Sequence, residues 1–281
     1  VSRLKIDALI RGAKGGGTAT KLMGGMPTPA QRLVTHAWSN KFADLVAAII
    51  ADAMGLPTFE SLRCRLAPTE LHHLKDELRL MDLLQLRYWV CALSVNQHAG
   101  ICGSNPRGDV DPVAQVVHPV CACGHPKLRN DTPPLLADGE GIGCEMNKFD
   151  EVMSLLAARD PLFRQVVVVD EGFSLFTRAW CIAEIWHAYA SQMSQHLVLH
   201  SCANLDQHRE CLEGLRVEDM ESSRVEDKAM ILAKIGDVVE FNANLRWMTL
   251  DESIGLLAAW RDALTDAETL GRIARRRTIG V

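Results

Sequence analysis

The chain has 281 residues, 48% of them hydrophobic and 23% charged, with a formal net charge of −5. That is a globular composition, and it excludes disorder, collagen and coiled coil. The acid excess argues against a general nucleic-acid surface, and no apolar run approaches the ~20 residues of a membrane-spanning helix, so neither a nucleic acid nor a membrane is an expected partner.

Nine cysteines are unevenly placed, with Cys102, Cys121, Cys123 and Cys144 crowding one stretch. A chain of this length buries enough apolar surface to fold without disulfides. The odd count, the lack of a signal-peptide pattern and a thiol at Cys91 inside an apolar run predict a reducing, cytoplasmic setting.

Residues 1–30 carry Gly15-Gly16-Gly17, Gly24-Gly25 and Pro27-Thr28-Pro29 without apolar periodicity and read as a flexible lead-in. The glycines lack the spacing that lets backbone amides wrap a phosphate. Residues 32–38 read as a short strand. Ser39 is then expected to cap a helix whose apolar positions Phe42, Leu45, Val46, Ile49, Ile50 and Ala53 share one face until Gly55 and Pro57 stop it.

A second helix is predicted over 69–86, with Leu71, Leu74, Leu78, Met81 and Leu84 on one stripe. It leads into residues 88–95, whose nearly continuous apolar character suits a strand buried on both faces. Residues 97–147, rich in Gly, Pro, Asp, Cys and His, are far longer than an ordinary connection and read as an insertion or lid. Regular structure resumes with a helix from Phe149, a strand over 165–170, a helix over 177–193 and a strand over 196–200. Strand and helix in alternation imply a mainly parallel sheet with right-handed crossovers. Residues 204–281 read as a helical extension, packed beside the sheet or forming a small appendage. Its basic run Arg275-Arg276-Arg277 reads as a solvated helix end or tail.

The segment Leu175-Phe176-Thr177-Arg178-Ala179-Trp180-Cys181-Ile182-Ala183-Glu184-Ile185 resembles the S-x-W-C-x-x-E-L helix of TIR domains. Its setting agrees, because a buried strand ending at Asp170 precedes it and another, over 197–200, follows. Leu33 to Trp38 looks like the first TIR strand. The resemblance covers roughly residues 31–203 and extends to TIR-like proteins of algae and other protists, in which a His-Ala-Trp strand end recurs. It implies an α/β, flavodoxin-like sheet flanked by helices. It also implies one of two activities: self-association as an adaptor, giving a homo-oligomer through TIR-like helices, or cleavage of the nicotinamide glycosidic bond of NAD as substrate. In the enzymatic members the Glu of this helix is catalytic, which carries over to Glu184. The His-Ala-Trp loop and the insertion depart from familiar TIR domains, which carry a Gly-rich or Arg-containing first loop and a short second one.

The chemistry agrees with that assignment on its own terms. Cleaving the bond passes through an oxocarbenium-like ribose that a carboxylate can stabilise. Nicotinamide leaves as a neutral base, so one carboxylate suffices and no general acid or further cofactor is required. On the helix, Ile182, Ile185, Trp186, Tyr189 and Met193 form an apolar stripe, with Glu184 roughly 160–200° away at about 100° per residue. Glu184 is therefore expected to point away from the core, with Trp180 and His187 on its side. Periodicity alone fits a solvated glutamate equally well.

Ligands of such sheets collect beyond the carboxyl ends of the strands. There lie His36, Trp38 and Ser39, then Asn96, Gln97 and His98, then Asp170, and with Trp180 these outline a candidate nucleotide pocket. Each also has an ordinary reading: a helix cap at Ser39, a turn at Asn96 and Gln97, satisfied loop histidines at His36 and His98, and a packed rim at Trp180. Cys181, near a helix start, is readable as a nucleophile or, without committed His and Asn partners, as packing. Within the insertion, Cys121, Cys123, His125 and Cys144 are candidate ligands for a structural zinc, with His98 and Cys102 upstream. Cys-x-Cys is not the usual spacing, and free thiols or a redox-sensitive loop are the other reading.

Overall fold

The computed structural model describes residues 4–5, 29–94, 97–127 (without 101, 104, 106, 107, 109, 112 and 113), 149–222 and 225–279 (without 234, 236 and 254). Most of the 1–30 lead-in, together with Asn96 and Cys144, lies outside the described residues.

Strands β1 (Leu4–Lys5), β2 (Arg32–His36), β3 (Arg87–Val90), β4 (Arg164–Val169) and β5 (Ser194–Leu199) form a sheet in the order β1-β3-β2-β4-β5. The last four are mutually parallel, while β1 adds to the edge antiparallel, Leu4 opposite Tyr88. Setting β1 aside, the spatial order is second, first, third, fourth, consistent with the flavodoxin-like class. A two-residue strand is too short to leave a periodic signature, so β1 was invisible in the sequence pattern.

The valine run of β4 shows why the sheet is covered on both sides. Val166 and Val168 pack with one core and Val167 and Val169 with another, as period-2 alternation requires. The first core holds α1 (Phe42–Met54), α2 (Glu60–Arg65) and α3 (Leu71–Leu80). Gly55, at φ 69°, ends α1 by returning its N–H to Ala51 and Asp52 carbonyls. After β3 come two short helices, α4 (Cys91–Ser94) and α5 (Gln97–Gly100).

The opposite face is covered by α6 (Phe149–Arg159) and α7 (Ala179–Ala190), and by α8 (Cys202–Glu213), α9 (Val225–Ala233), α10 (Val238–Leu250) and α11 (Leu256–Ile279). Leu212, Leu245, Met248, Leu257 and Trp260 share one core with Val167, Val169 and Leu199, so the C-terminal helices pack beside the sheet. No helix among the described residues is long and apolar enough to cross a membrane.

Several boundaries differ from the sequence reading: the strand expected over 32–38 ends at His36, the helix expected over 177–193 spans Ala179–Ala190, and three others have a visible local cause. The strand expected over 88–95 stops at Val90, because the Ser94 hydroxyl takes the Val90 N–H at 3.3 Å and the chain turns into α4. The helix expected over 69–86 stops at Leu80, where Asp82 adopts φ 55° and Leu83 N–H closes back on the Leu78 carbonyl. Ser39 does not cap α1: the cap position is Lys41, without a side-chain bond, and Ser39 sits in a turn closed by Asn40 N–H on Ala37 O.

At the amino edge of the sheet one carboxylate gathers four strands. Asp52, fully buried on α1, accepts from Tyr88 Oη (2.6 Å) and pairs with Arg164 Nη2 (2.8 Å), Arg32 Nε (3.0 Å) and His196 Nδ1 (2.5 Å). Burial opposes its ionisation, but His196, the Arg164 charge and the Tyr88 hydroxyl outweigh it and hold its carboxyl below the usual range.

Candidate functional site

The opposite face of the sheet carries different chemistry. Thr35, near the end of β2, donates from Oγ1 to Glu184 Oε2 at 2.5 Å and accepts from Gln165 Nε2 at 2.7 Å. Gln195 Nε2 continues the chain to Gln165 Oε1 (2.8 Å) and to the Ile185 carbonyl (3.1 Å). A polar line therefore runs under α7 from β5 through β4 to β2 and ends on Glu184. It crosses the boundary between β2 and β4, where the crossovers change face, and it does so from the amino-end residues Gln165 and Gln195 inward to Thr35, within the sheet rather than beyond its carboxyl ends.

The expected outward orientation of Glu184 is corrected here: its residue is 8% exposed, and the solvated reading goes with it. Periodicity assumes one packed face, but α7 has neighbours on several sides. Ile182 and Ile185 meet the sheet core, Trp186 packs on Phe241 of α10 at 4.8 Å, and Trp180 and His187 meet Phe149 of α6. The side away from the apolar stripe is thus another interior, and Thr35 supplies the donor that makes a buried carboxyl tolerable there. Burial, only partly offset by that hydrogen bond, pushes the Glu184 carboxyl up to about 7.

Cys91 and Cys181 feel the charge of this carboxyl, and Trp38 and His36 contact those two thiols. The His36 ring places Nδ1 3.0 Å from Ala37 O, and burial brings it down to about 4, so it is a neutral imidazole at physiological pH. Its Nε2 lies 3.9 Å from Cys91 Sγ, and the Trp38 indole N–H donates to that same sulfur at 2.9 Å. Cys181 Sγ donates to the His36 carbonyl at 3.5 Å. Burial, reinforced by the Glu184 charge, raises both thiols, Cys91 to about 12. Neither is a thiolate at neutral pH, and Cys181 is a packed donor rather than an activated nucleophile. Cys91 was not among the candidates; its signal was only its place at the end of an apolar run.

The other candidates divide. Trp38 keeps 42% exposure at the rim, with Ser39 exposed beside it. Gln97 closes a turn by donating to Ala92 O at 3.1 Å, while its Oε1 is buried without a partner among the described residues. Asp170 is occupied: its two oxygens accept from Ser174 and Leu175 N–H, each at 3.0 Å, and cap the 3₁₀ turn Ser174–Thr177. Trp180 stacks edge-on against Phe149 and donates to Asp227 Oδ2 at 3.4 Å, which places it between α6 and α9.

His98 joins a second group. Its Nδ1 lies 3.4 Å from Cys102 Sγ and 3.6 Å from Cys121 Sγ, and Cys102 Sγ is 3.5 Å from Cys123 Sγ. The four ligand atoms of His98, Cys102, Cys121 and Cys123 all fall within 4.8 Å of one another, an arrangement that could hold a metal ion. Cys121 and Cys123 thus appear as expected, whereas His125 stands aside with its ring 6.1 Å from that of His98, and Cys144 is outside the described residues. The sequence signal for the other half was His-x-x-x-Cys at 98 and 102, two ligands a single helical turn apart.

Two grooves lie away from both groups. One of about 230 Å³ runs between α1, α2 and α3 beside Phe42 and Leu71, and the other lies against Leu205 and Leu257. No family model, curated protein or solved structure matches the chain.

Proposed function

We propose that this chain is a TIR-like, nucleotide-binding signalling protein that hydrolyses the N-glycosidic bond of NAD or a close relative, with Glu184 as the carboxylate facing the ribose. The observation that carries this reading is Glu184 itself. A buried acid brought up to about 7, over β2 and beside the boundary where the crossovers change face, is the kind of perturbed group that marks functional sites. The likeness of Trp180-Cys181-Ile182-Ala183-Glu184 to the TIR helix supports the same assignment.

The chemistry runs as follows. The bond between ribose C1′ and the nicotinamide nitrogen breaks, and its electron pair leaves with the now neutral base. The positive charge left on the ribose favours the ionised form of Glu184, which in turn stabilises that charge. Water adds to C1′ and releases its proton to the carboxylate or to solvent. His36, neutral and held through Nδ1, offers Nε2 as an acceptor at the carboxyl end of β2. Trp38, half exposed at the rim and bonded to Cys91, offers an aromatic face to a nucleotide base. A metal in the His98 group, as a structural zinc, takes no part in these steps.

A second reading has its own support. Glu184 is already bonded to Thr35 and nearly enclosed, which suits a tie that locks α7 to β2 in a non-enzymatic, self-associating module. The test is nicotinamide release from NAD at high protein concentration, for wild type and Glu184→Gln. Release that disappears in the folded variant supports the enzyme. Its absence from wild type in every assembly state favours the module.

A further inference from the structure

We infer that His98, Cys102, Cys121 and Cys123 form a structural zinc centre of three sulfurs and one nitrogen, which fastens the insertion onto the chain leaving β3. Zinc bonds of about 2.3 Å to sulfur and about 2.0 Å to nitrogen, opened to tetrahedral angles, set sulfur about 3.8 Å from sulfur and about 3.5 Å from nitrogen. The observed spacings are 3.5 Å between Cys102 and Cys123 sulfurs, and 3.4 and 3.6 Å from His98 Nδ1 to Cys102 and Cys121. Three of the separations therefore match a tetrahedron of zinc size, and all four atoms lie within 4.8 Å of one another. Imidazole with thiolates is a donor set that suits zinc and disfavours magnesium or calcium.

Charge agrees with the geometry. Three thiolates around a divalent ion leave one net negative charge. Lys127 sets its ammonium 2.9 Å from Cys102 Sγ, while also donating to His98 O at 2.7 Å. A cation bonded at once to a ligand atom and to the backbone of another ligand residue is the outer support that metal ligands require.

The segment also needs such a centre. Val110, Val116, Val117 and Val120 are all exposed, so these four side chains, among the described residues, bury no core. Coordination joins Cys102 to Cys123, 21 positions apart, and fixes His98 on α5, which follows the turn from β3 past Cys91. Zinc thereby replaces hydrophobic burial as the force that orders the rim of the candidate pocket. This inference is independent of the nucleotide reading.

The test uses the full chain, purified in reducing buffer without chelator. Elemental analysis with native mass spectrometry is expected to find one zinc per chain, and X-ray absorption at the zinc edge to find three sulfurs and one nitrogen. Cys121→Ser and His98→Ala are expected to lose at least nine-tenths of the metal, while His125→Ala and Cys144→Ser keep it. Stripping the zinc from wild type with a chelator should speed proteolysis within 97–127 at least tenfold and leave the sheet intact, a readout that needs no variant. A folded chain without metal, a Cys102–Cys123 disulfide in reducing buffer, or zinc that departs with His125→Ala but stays with His98→Ala would each overturn the assignment. Nicotinamide release plays no part in these outcomes, so failure of the catalytic reading stays distinguishable.

Discussion

Thr35 and Glu184 lie 149 positions apart in the chain and 2.5 Å apart in the fold, and their hydrogen bond joins the first parallel strand to the helix above it. Two substitutions separate the chemical from the structural share of that bond. Glu184→Gln retains an acceptor for Thr35 and should stay within about 1 kcal/mol of wild type in urea unfolding, while nicotinamide release falls about 10²–10³-fold. Glu184→Ala leaves a buried donor unpaired and should cost about 1–3 kcal/mol.

The pH dependence of activity follows from the same carboxyl. Glu184 stabilises positive charge only when ionised, so kcat/KM for NAD should rise with pH and level off above an inflection near 7. A profile flat from pH 5.5 to 8.5 in an active protein would sink the assignment of Glu184 to the chemistry.

Stability has a distinct pH signature, because two buried groups oppose each other. Glu184 is raised from an ordinary 4.5 to about 7, so the stability it contributes is full below 4.5 and is lost as pH rises through 7. His36 is brought down from 6.5 to about 4, so its contribution is full above 6.5 and is lost as pH falls through 4. Between 4.5 and 6.5 the two slopes have opposite sign and largely cancel. Glu184→Gln removes one of them, so the variant should weaken steadily on acidification from 6.5 to 4.5 while wild type barely changes. Denaturant midpoints across that window check the sign.

Asp52 is the point where charge holds the fold. Asp52→Asn removes the counter-charge from Arg32, Arg164 and His196 and should destabilise by about 2–4 kcal/mol, below the full cost of breaking a buried pair because Arg32 and Arg164 side chains are 17% and 28% exposed. A double-mutant cycle with Arg164→Gln should show the two losses far from additive.

Trp38 covers Cys91, so the thiol reports whether the indole shields this edge. In wild type Cys91 should resist alkylation while exposed Cys64 reacts, and Trp38→Ala should accelerate Cys91 labelling at least tenfold. Peptide mapping after timed labelling reads both sites in one sample. Equal rates with and without the indole would mean that Trp38 shields nothing.

Much of this architecture is legible in the residues. The valines of β4, the stripe of α1 and the Gly55 stop are local signals, and strand–helix alternation leads from them to the parallel sheet. His36 and Trp38 come together beside Cys91 because the topology places the ends of β2 and β3 there. What periodicity misses depends on partners distant in sequence. Glu184 is buried because Thr35 waits beneath it, and His98 leaves the pocket edge for the sulfurs of Cys102 and Cys121. β3 ends early for a reason closer at hand, since Ser94 competes for its ladder.

The indole of Trp260 donates to the carbonyl of Pro57 at 2.7 Å, so α11 closes against the turn that follows α1, made 203 positions earlier. Until Trp260, Leu257 and Leu245 emerge, the side of the sheet that bears Val167, Val169 and Leu199 has no complete cover. Between the emergence of those strands and that of α10 and α11 the nascent chain therefore carries an open apolar wall and is a natural client for chaperones. A shortened gene ending at residue 203 should give an aggregating product, however regular its strands.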